Sequence, residues 1–476
     1  MSQVYNPYLP NYEYIPDGEP HVFDGRVYVY GSHDKFNGLF FCMNDYICYS
    51  APVNNLKKWT YEGVIWRKKD DMRHTPLIMK QLYAPDVVKG KDDRYYLYYF
   101  KGSQGIIGVA VCDTPAGKYE YYGHVKYPDG TLLGKNHEKD IWQFDPGVFR
   151  DDDGRIYLYT GFAPKGPNPF TQFRPVNSKG AMGVELEDDM LTIKLPYHYI
   201  AKSQHSSKGT GYEGHEFFEA SSMRKFNGKY YFIYSSVLGH ELCYAIGDSP
   251  LGEFKYGGTL VSIGDVGISN KPLNYLGNTH GSVEFINGKY YVFYHRQTNR
   301  HCHSRQACAE EIKMNPDGTF NQAEITSCGL NGGPLEASGI YEARIACNLF
   351  SKEGVKFYTA KIRKGIHPYF TQSGKDREEN GDQYIANFKD GATCGFKYFD
   401  FKDVHKLSLV VRGYMYGGFE IRTKWDGPVL GKLNCESANF WEADTIDIDL
   451  PDGTHALYLT WVGGGNAQLK SIRFNL

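Results

Sequence analysis

Asp24–Tyr30 reads Asp-Gly-Arg-Val-Tyr-Val-Tyr, a tight-turn dipeptide followed by a basic residue and a run of β-branched and aromatic residues. Asp-Gly is a dipeptide whose positive φ angles match the twist of a β-hairpin. The apolar residues Val22 and Phe23 stand immediately before the turn. The segment therefore predicts two antiparallel strands that are connected at residues 24–25.

The same pattern recurs four more times along the chain. Each copy has a small-residue turn, then Lys or Arg, then a strand-like run, in Asp93–Tyr98, Asp153–Tyr159, Asn227–Tyr234 and Asn287–Tyr294. Further turns that contain Pro follow several hairpins, for example at residues 113–119 and 248–254. Four strands per unit, repeated five times at roughly sixty to seventy residues, are typical of a five-bladed β-propeller. A β-sandwich with similar hairpins is the alternative, and five copies in order disfavour it.

The length, charge and cysteine content of the chain limit the classes of protein to which it can belong. The chain has 476 residues, which suggests two or three domains, and its 53 basic and 55 acidic residues are nearly balanced. No block of like charge supports a nucleic-acid or membrane partner. Because there is no secretory signal or apolar membrane span, and the ten Cys are scattered, we expect a cytoplasmic protein with reduced thiols. A secreted form whose leader was removed stays open, and the sequence indicates no oligomeric state.

One possible metal cluster is not supported by the spacing of its residues. His301, Cys302, His303 and Cys308 lie close together in sequence, but no second ligand pair stands at zinc-finger spacing. The sequence therefore does not predict a zinc site there.

An ionisable residue precedes every hairpin by eight to ten positions from its Lys or Arg. These residues are Asp17, Asp86, Asp145, Glu219 and His280. Since the first strand of each propeller blade lines the central channel, we expect the five side chains to converge near the axis. Clustered carboxylates are energetically costly and occur mostly at functional sites of proteins. Several carboxylates favour glycoside hydrolysis, in which one carboxyl group protonates the leaving oxygen and another activates water or attacks. A calcium cage is the alternative.

The motifs around these residues resemble those of glycoside hydrolase family 43, in family order over about residues 5–325. They are Pro16–Phe23, Ala84–Val87, Phe144–Phe149, Phe218–Ser222, His280–Val283 and Tyr294–Gln297. The resemblance implies a five-bladed propeller that hydrolyses with inversion. It also implies that Asp17 is the general base, Asp145 the carboxylate that orients the acid and raises its pKa, and Glu219 the general acid. His280 resembles the family residue that holds a structural calcium ion at the propeller axis, often through water.

The resemblance also suggests a substrate class. Residues 31–34 and the motif at Glu219 look most like enzymes that release terminal α-L-arabinofuranose or β-D-xylose from arabinoxylan- or xylan-derived oligosaccharides. An endo-acting arabinanase and a non-catalytic sugar-binding propeller are the alternatives. The expected substrate-binding residues are His33, Asp34, Asp86, Trp142 and Arg296, with Phe36, Phe40 and Phe41 as further candidates for sugar-stacking walls. One departure is Gly18-Glu19, where many relatives have Pro-Ser.

The pattern changes after about residue 325. We predict a propeller over residues 1–325, a Gly-rich linker over 326–339, and a jelly-roll β-sandwich over 340–476, where short alternating strands show no helical periodicity. This last region resembles a family 6 carbohydrate-binding module, in which Trp441 and Asn466 match sugar-binding positions. The second aromatic residue of that cleft is replaced near Thr393, and Arg344 stands where an acidic residue is expected. We therefore lean toward a module that mainly packs on the propeller.

Overall fold

The computed structural model describes residues 3–73, 80–135, 140–357, 365–377 and 381–475, and the fold over these ranges is all-β. In these ranges the helical elements are two short 3-10 turns, Gly329–Asn331 and Ala343–Ile345. No helix in this part of the chain is long and apolar enough to cross a membrane.

Five antiparallel sheets in sequence order form the five blades, which confirms the predicted propeller. The first sheet contains β1 (Glu19–Phe23), β2 (Arg26–Tyr30), β3 (Tyr46–Pro52) and β4 (Thr60–Trp66). The second contains β5 (Leu82–Lys89), β6 (Tyr95–Lys101), β7 (Ile107–Cys112) and β8 (Glu120–His124). The third contains β9 (Gly147–Arg150), β10 (Ile156–Thr160), β11 (Met182–Leu186) and β12 (Ile193–Tyr199). The fourth contains β13 (Phe217–Phe226), β14 (Lys229–Ser236), β15 (Glu241–Gly247) and β16 (Phe254–Ser262), and the fifth contains β17 (Ser282–Ile286), β18 (Lys289–Thr298) and β19 (His301–Ile312).

The ring is closed by residues that precede the first blade. The backbone N–H of Tyr8 donates to the carbonyl oxygen of Ala307 in β19 at 3.2 Å. The side-chain amide of Asn6 donates to the carbonyl oxygen of Ala309 at 3.0 Å. These contacts lie along the outer strand of the fifth blade, so the beginning and the end of the propeller segment are joined without a covalent bond.

Aromatic side chains fill the spaces between the blades. Each apolar core of the propeller, among the described residues, combines side chains of two neighbouring blades. Tyr30 of the first blade and Tyr99 of the second are both fully buried in one such core. The high Tyr and Phe content is therefore used mainly for packing, since these large side chains bury much apolar area.

Two facing six-stranded sheets follow the propeller and form the predicted sandwich. One sheet contains β20 (Leu335–Glu336), β22 (Asn348–Phe350), β25 (Thr393–Phe401), β27 (Met415–Arg422), β28 (Gly431–Cys435) and β30 (Gly453–Gly465). The other contains β21 (Gly339–Glu342), β23 (Tyr369–Ser373), β24 (Asp382–Phe388), β26 (Lys406–Gly413), β29 (Ala438–Asp447) and β31 (Ala467–Phe474).

The predicted linker is not a free connector. Strand β20 lies inside residues 326–339 and pairs in parallel with β25 of the sandwich. The backbone N–H groups of Ser327 and Cys328 both donate to the carbonyl oxygen of Lys397. The glycines of this segment provide tight turns between two attached parts rather than a flexible spacer.

Candidate active site

One cavity of about 220 Å³ lies at the end of the channel where the inner strands of the blades begin. Its polar wall holds three carboxyl groups, an imidazole, a guanidinium and an amide, which belong to Asp17, Asp145, Glu219, His280, Arg305 and Asn278. Its apolar wall holds Phe41, Cys42, Tyr83, Phe144, Phe162 and Phe170. The structure thus brings four of the five ionisable residues that precede the hairpins to one cavity.

Asp86, the fifth of these residues, is not in the cavity wall. It pairs with Tyr98 in its hairpin, as Glu19 pairs with Tyr30 in the first blade. Asp86 therefore corresponds to Glu19, two residues farther along the inner strand than Asp17. Its carboxylate accepts the backbone N–H of Val148 in the next blade at 2.7 Å and lies 2.6 Å from His21 Nε2. Asp86 joins three blades below the cavity, because it stands only eight positions before Arg94, whereas Asp145, in a blade whose turn has the same length, stands ten positions before Arg155.

A buried polar layer closes the channel beneath the cavity. We call it the axial layer, and it consists of Glu19, Asp86, Ser222, Arg224 and Ser282. The Glu19 carboxylate accepts from Ser222 Oγ at 2.9 Å and from Arg224 Nη2 at 3.0 Å, and Ser222 and Ser282 share a 2.8 Å hydrogen bond. All five residues are at most 6 % exposed. A separate cavity, lined partly by His21, Phe23 and Glu284, lies on the other side of this layer.

The backbone is strained where the carboxylates enter the cavity. Asp17 has φ of 60° and Asp145 has φ of 45°, and Ala220, next to Glu219, has φ of 69°. Positive φ is uncommon for residues other than glycine, and observed cases concentrate at functional sites. These conformations turn the chain just before or within the inner strand.

Asp17 is held as an anion. Arg305 Nη1 donates to Asp17 Oδ1 at 2.8 Å. Burial alone would raise the pKa of Asp17, but the Arg305 guanidinium and the neighbouring imidazoles outweigh burial and lower it. His295 accepts the Asp17 backbone N–H at Nδ1 and lies 2.9 Å from the carbonyl oxygen of Asn278 at Nε2. These partners fix the neutral tautomer with its hydrogen on Nε2, and burial and Arg305 lower the pKa of His295 to about 3.

Glu219 is affected in the opposite direction. Burial, followed by the charge of Asp17, raises the pKa of Glu219 to about 7, although His280 and Arg305 oppose this shift. Burial also raises the pKa of Asp145, and the charge of Glu219 adds to that increase. One cavity therefore holds an ionised Asp17 and a Glu219 that keeps its proton up to neutral pH, which is the combination of a base and an acid.

His280 lies between the carboxylates and the axial layer. Its Nδ1 is 3.6 Å from Asp145 Oδ2, and its Nε2 is 3.7 Å from Glu19 Oε1. Glu19 Oε1 is buried and, among the residues that the structure describes, has no partner within hydrogen-bond distance. Burial by itself would lower the pKa of His280, but Glu19, Asp145 and Asp17 raise it to about 9. A proton on His280 or a cation between Nε2 and Oε1 would each satisfy this oxygen, and a spacing of 3.7 Å fits two adjacent ligands of calcium.

The apolar wall differs from the predicted one. Phe41 lines the cavity as expected, but Phe40 is 51 % exposed and Phe36 packs against Tyr14. Trp142 is completely buried and lies behind Phe170, with the Arg174 guanidinium 4.7 Å from its ring. Trp142 therefore supports the wall without reaching the cavity. Four aromatic residues of the wall were not predicted from the sequence, namely Tyr83, Phe144, Phe162 and Phe170. Phe144 directly precedes Asp145, and Tyr83 directly precedes the motif Ala84–Val87.

Arg296 does not lie beside the carboxylates, and Arg305 takes that place. Arg296 donates to the carbonyl oxygen of Ala346 at 3.0 Å and stacks over Phe370, so it faces the sandwich. Neighbouring residues of a strand point to opposite faces, and in β18 it is His295 that points toward Asp17. Arg305 comes from the next strand, β19.

His33 and Asp34 also lie behind the cavity wall. Asp34 Oδ2 accepts from Arg305 Nε at 2.8 Å, and Asp34 Oδ1 accepts from Arg305 Nη2 at 3.1 Å. His33 is 1 % exposed and its Nε2 lies 3.3 Å from Glu13 Oε2. Neither residue lines the cavity, so the structure gives them supporting positions.

In the sandwich, Trp441 and Asn466 are half-buried. The Arg412 guanidinium lies 4.1 Å from the Trp441 ring centre, and Trp441 Nε1 donates to Asp382 at 3.0 Å. Arg344, at the expected acidic position, donates to the carbonyl oxygen of Pro7 in the propeller segment. One face of Trp441 is thus already covered, and Arg344 serves the contact between the two domains.

Comparisons with known proteins agree with this geometry. The sequence model of glycosyl hydrolases family 43 matches residues 18–320. A xylosidase/arabinosidase of Thermoclostridium stercorarium is 52 % identical over 99 % of this chain and 98 % of its own length. A xylosidase/arabinosidase of Bacteroides ovatus is 33 % identical over 60 % of this chain and 87 % of its own length.

Solved structures are similar as well. A β-xylosidase/α-arabinofuranosidase from a compost microbial metagenome, in complex with xylotriose and in a calcium-free form, superposes with a TM-score of 0.52 at 29 % identity, covering 68 % of this chain and 98 % of that one. An arabinoxylan arabinofuranohydrolase of Bacillus subtilis has a TM-score of 0.53 at 23 % identity and covers 98 % of this chain and 97 % of that one. The second likeness shows that the fold of both domains is shared.

Proposed function

Because the chain belongs to glycosyl hydrolase family 43, we propose that its cavity binds one terminal α-L-arabinofuranosyl or β-D-xylosyl unit of an arabinoxylan- or xylan-derived oligosaccharide. The chain is an inverting glycoside hydrolase of the xylosidase/arabinosidase type. The observation that carries the assignment of roles is the unequal environment of two carboxyl groups in one cavity. Arg305 Nη1 donates to Asp17 at 2.8 Å, and the pKa values of Asp17 and Glu219 are shifted in opposite directions.

Each carboxyl group has a distinct task in this proposal. Asp17, ionised beside Arg305, removes a proton from the water that attacks the anomeric carbon. Glu219, protonated up to about pH 7, gives its proton to the oxygen of the leaving sugar. Asp145 is the third carboxyl group, and its negative charge and that of Glu219 disfavour each other. In this proposal Asp145 orients Glu219 as the acid.

The size and closure of the cavity favour removal of single terminal sugars. A volume of about 220 Å³ is below the roughly 300–1,000 Å³ of pockets that enclose drug-sized ligands. The axial layer closes the channel below, so a polysaccharide chain has no path through the ring. An endo-acting arabinanase would need a groove that is open at both ends.

The test is turnover on a panel of nitrophenyl glycosides, namely α-L-arabinofuranoside, β-D-xyloside and β-D-galactoside. We expect activity on the first two, and Asp17→Asn should lower kcat by about 10²–10⁴-fold while the protein remains folded. Glu219→Gln should impair xylobiose more than a nitrophenyl xyloside, because the better leaving group needs less acid assistance. Near-normal turnover of Asp17→Asn would remove Asp17 from the mechanism.

We also propose that a calcium ion binds at His280 Nε2 and Glu19 Oε1, with water completing its coordination. When bound, it would neutralise buried negative charge and stabilise the channel. Elemental analysis of protein purified without added metal should then find about one calcium per chain. Chelation should lower the unfolding temperature, and His280→Ala should lose both the metal and that response. Fully active protein that contains no metal would instead assign the unpaired Glu19 oxygen to a protonated His280.

A further inference from the structure

The connection between β2 and β3, residues 31–45, builds one side of the cavity. Phe41 and Cys42 lie in the cavity wall, and the Asp34 carboxylate holds the Arg305 guanidinium against Asp17. The backbone N–H of Cys42 donates to Asp34 Oδ1 at 2.9 Å, which links the wall to this ion pair. We call residues 31–45 the wall loop.

Asp376 of the sandwich binds the wall loop directly. Its Oδ1 accepts the backbone N–H of Phe36 at 2.6 Å, and its Oδ2 accepts from Asn44 Nδ2 at 3.1 Å. The Asp376 carboxylate of the sandwich therefore links residue 36, near the beginning of the wall loop, to residue 44, near its end. Phe36 also packs on Tyr14, whose hydroxyl donates to Gln372 of the sandwich at 2.6 Å.

Arg377, the next residue, reaches the same loop through a buried relay. Its Nη2 lies 2.9 Å from Glu13 Oε1, and Glu13 Oε2 lies 3.3 Å from His33 Nε2. His33 Nδ1 is 2.8 Å from the carbonyl oxygen of Asp45, at the other end of the wall loop. Glu13 and His33 are 2 % and 1 % exposed, so the contact between them is shielded from solvent, whereas the Arg377 side chain is 32 % exposed.

A third contact joins the loop to the edge of the sandwich. Thr371 Oγ1 in β23 donates to Asn299 Oδ1 at 3.1 Å, and Asn299 Nδ2 donates to Asn37 Oδ1 at 3.0 Å. The backbone N–H of Asn299 donates to the carbonyl oxygen of Phe370 at 2.7 Å. The wall loop thus meets the sandwich at several points along its length.

We infer that the C-terminal sandwich is needed to form the sugar site, because its residues Asp376 and Arg377 position the wall loop. The inference rests on the proposed function for its effect on catalysis, but the loop's attachment can be measured without catalysis. Displacing reacting groups by about 1 Å costs on the order of 10²-fold in rate, so a loosened wall affects turnover of a bound sugar.

The first readout is the reactivity of Cys42, a thiol in the wall that is 1 % exposed. Labelling with a small maleimide, followed by peptide mass spectrometry, measures Cys42 separately from the other cysteines. Asp376→Ala should raise its labelling rate by about 10-fold or more, because opening of a loop exposes groups according to its local stability. Tyr398→Phe is the matched control, since it removes a 2.9 Å hydrogen bond to Glu324 elsewhere between the domains, and it should leave Cys42 unchanged.

The second readout is the split between KM and kcat on the nitrophenyl xyloside. Asp376→Ala should lower kcat/KM by about 10-fold or more, mainly through kcat, with Tyr398→Phe within about twofold of the native enzyme. The exchanged pair Asp376→Asn with Asn44→Asp reverses donor and acceptor in the bond between the two residues but loses the 3.0 Å bond from Asn44 Nδ2 to the carbonyl oxygen of Asp34. It should therefore recover part of both readouts and perform better than either change alone.

The inference is overturned if Asp376→Ala labels at Cys42 and turns over substrate as the native protein does. It is also overturned if the exchanged pair is no better than the single variants, because the bond would then not hold the loop. A native protein that is inactive on every glycoside would refute the proposed function, while the labelling result would still decide the role of the sandwich.

Discussion

At the scale of single residues, environment separates carboxyl groups of similar chemistry. Asp17 and Glu219 share one cavity, in which Asp17 is buried and Glu219 is half-buried, and desolvation alone would raise both pKa values. Arg305 decides the difference, because it donates directly to Asp17. Two titratable groups whose environments separate their pKa values are suited to act as a base and an acid.

This separation predicts a bell-shaped pH profile of kcat/KM. Activity needs ionised Asp17, whose pKa is lowered, so the acid limb should lie below about pH 4. Activity also needs protonated Glu219, so it should decline as pH rises through about 7. Rates on the β-xyloside across this range test the prediction, and residual activity of Glu219→Gln should lack the alkaline limb. A native profile that stays flat to pH 9 would contradict the role of Glu219.

Arg305 shows why parts of the site escape prediction. It is 288 positions from Asp17 in sequence, and only the register of β18 and β19 brings the two together. The prediction that Arg296 lies beside the carboxylates was wrong, because its side chain in β18 points toward the sandwich. Arg305 of the neighbouring strand β19 lies beside them instead. Phe162 and Phe170 come from connections outside the inner strands, whose paths depend on tertiary packing. The carboxylates were predictable because each stands at a fixed place before a local hairpin.

At the scale of elements, the hairpin is the unit that carries fold information. Its turn dipeptide and its alternating strand are both local, so five copies could be recognised from sequence alone. The local sequence pattern does not show how the inner strand of one blade is positioned relative to that of the next blade. Asp86 stands two positions closer to its hairpin than Asp145 does, although the two turns have the same length, and Asp86 therefore enters the axial layer instead of the cavity.

The position of Asp86 predicts a change in stability without a large change in chemistry. Asp86→Asn can no longer accept every N–H group that its carboxylate holds, and an unsatisfied buried group costs about 1–3 kcal/mol. The unfolding temperature should fall, whereas kcat on the xyloside should stay within a few-fold. Asp152→Asn, an exposed carboxylate in the third blade, is the control and should change neither. A loss of kcat as large as that of Asp17→Asn would move Asp86 into the reaction.

At the scale of the whole molecule, the two domains form one folded unit. Lys397 of the sandwich is 3 % exposed and lies 2.7 Å from Asp265 and 2.9 Å from Glu324 of the propeller segment. Sequence could predict two all-β regions because their strand patterns differ. It could not predict that they share buried ion pairs, since those contacts join residues more than seventy positions apart.

This interface predicts a single transition in calorimetric unfolding. Lys397→Met leaves Asp265 buried without its cation, which should cost about 3–5 kcal/mol and lower the transition temperature. Lys352→Met removes an exposed ion pair with Asp390 within the sandwich and should cost less than about 1 kcal/mol. Two separate transitions in the native protein, with only one responding to Lys397→Met, would show that the domains unfold independently.

The closed floor of the cavity also constrains the order of events after hydrolysis. The axial layer leaves one opening, so the freed sugar has the same exit by which the oligosaccharide came in. The shortened chain occupies that opening until it diffuses away, and the monosaccharide must therefore depart second. If the cavity releases a monosaccharide as proposed, that sugar excludes the next oligosaccharide while it remains bound. Accumulated arabinose or xylose should then inhibit competitively, raising the apparent KM and leaving kcat unchanged.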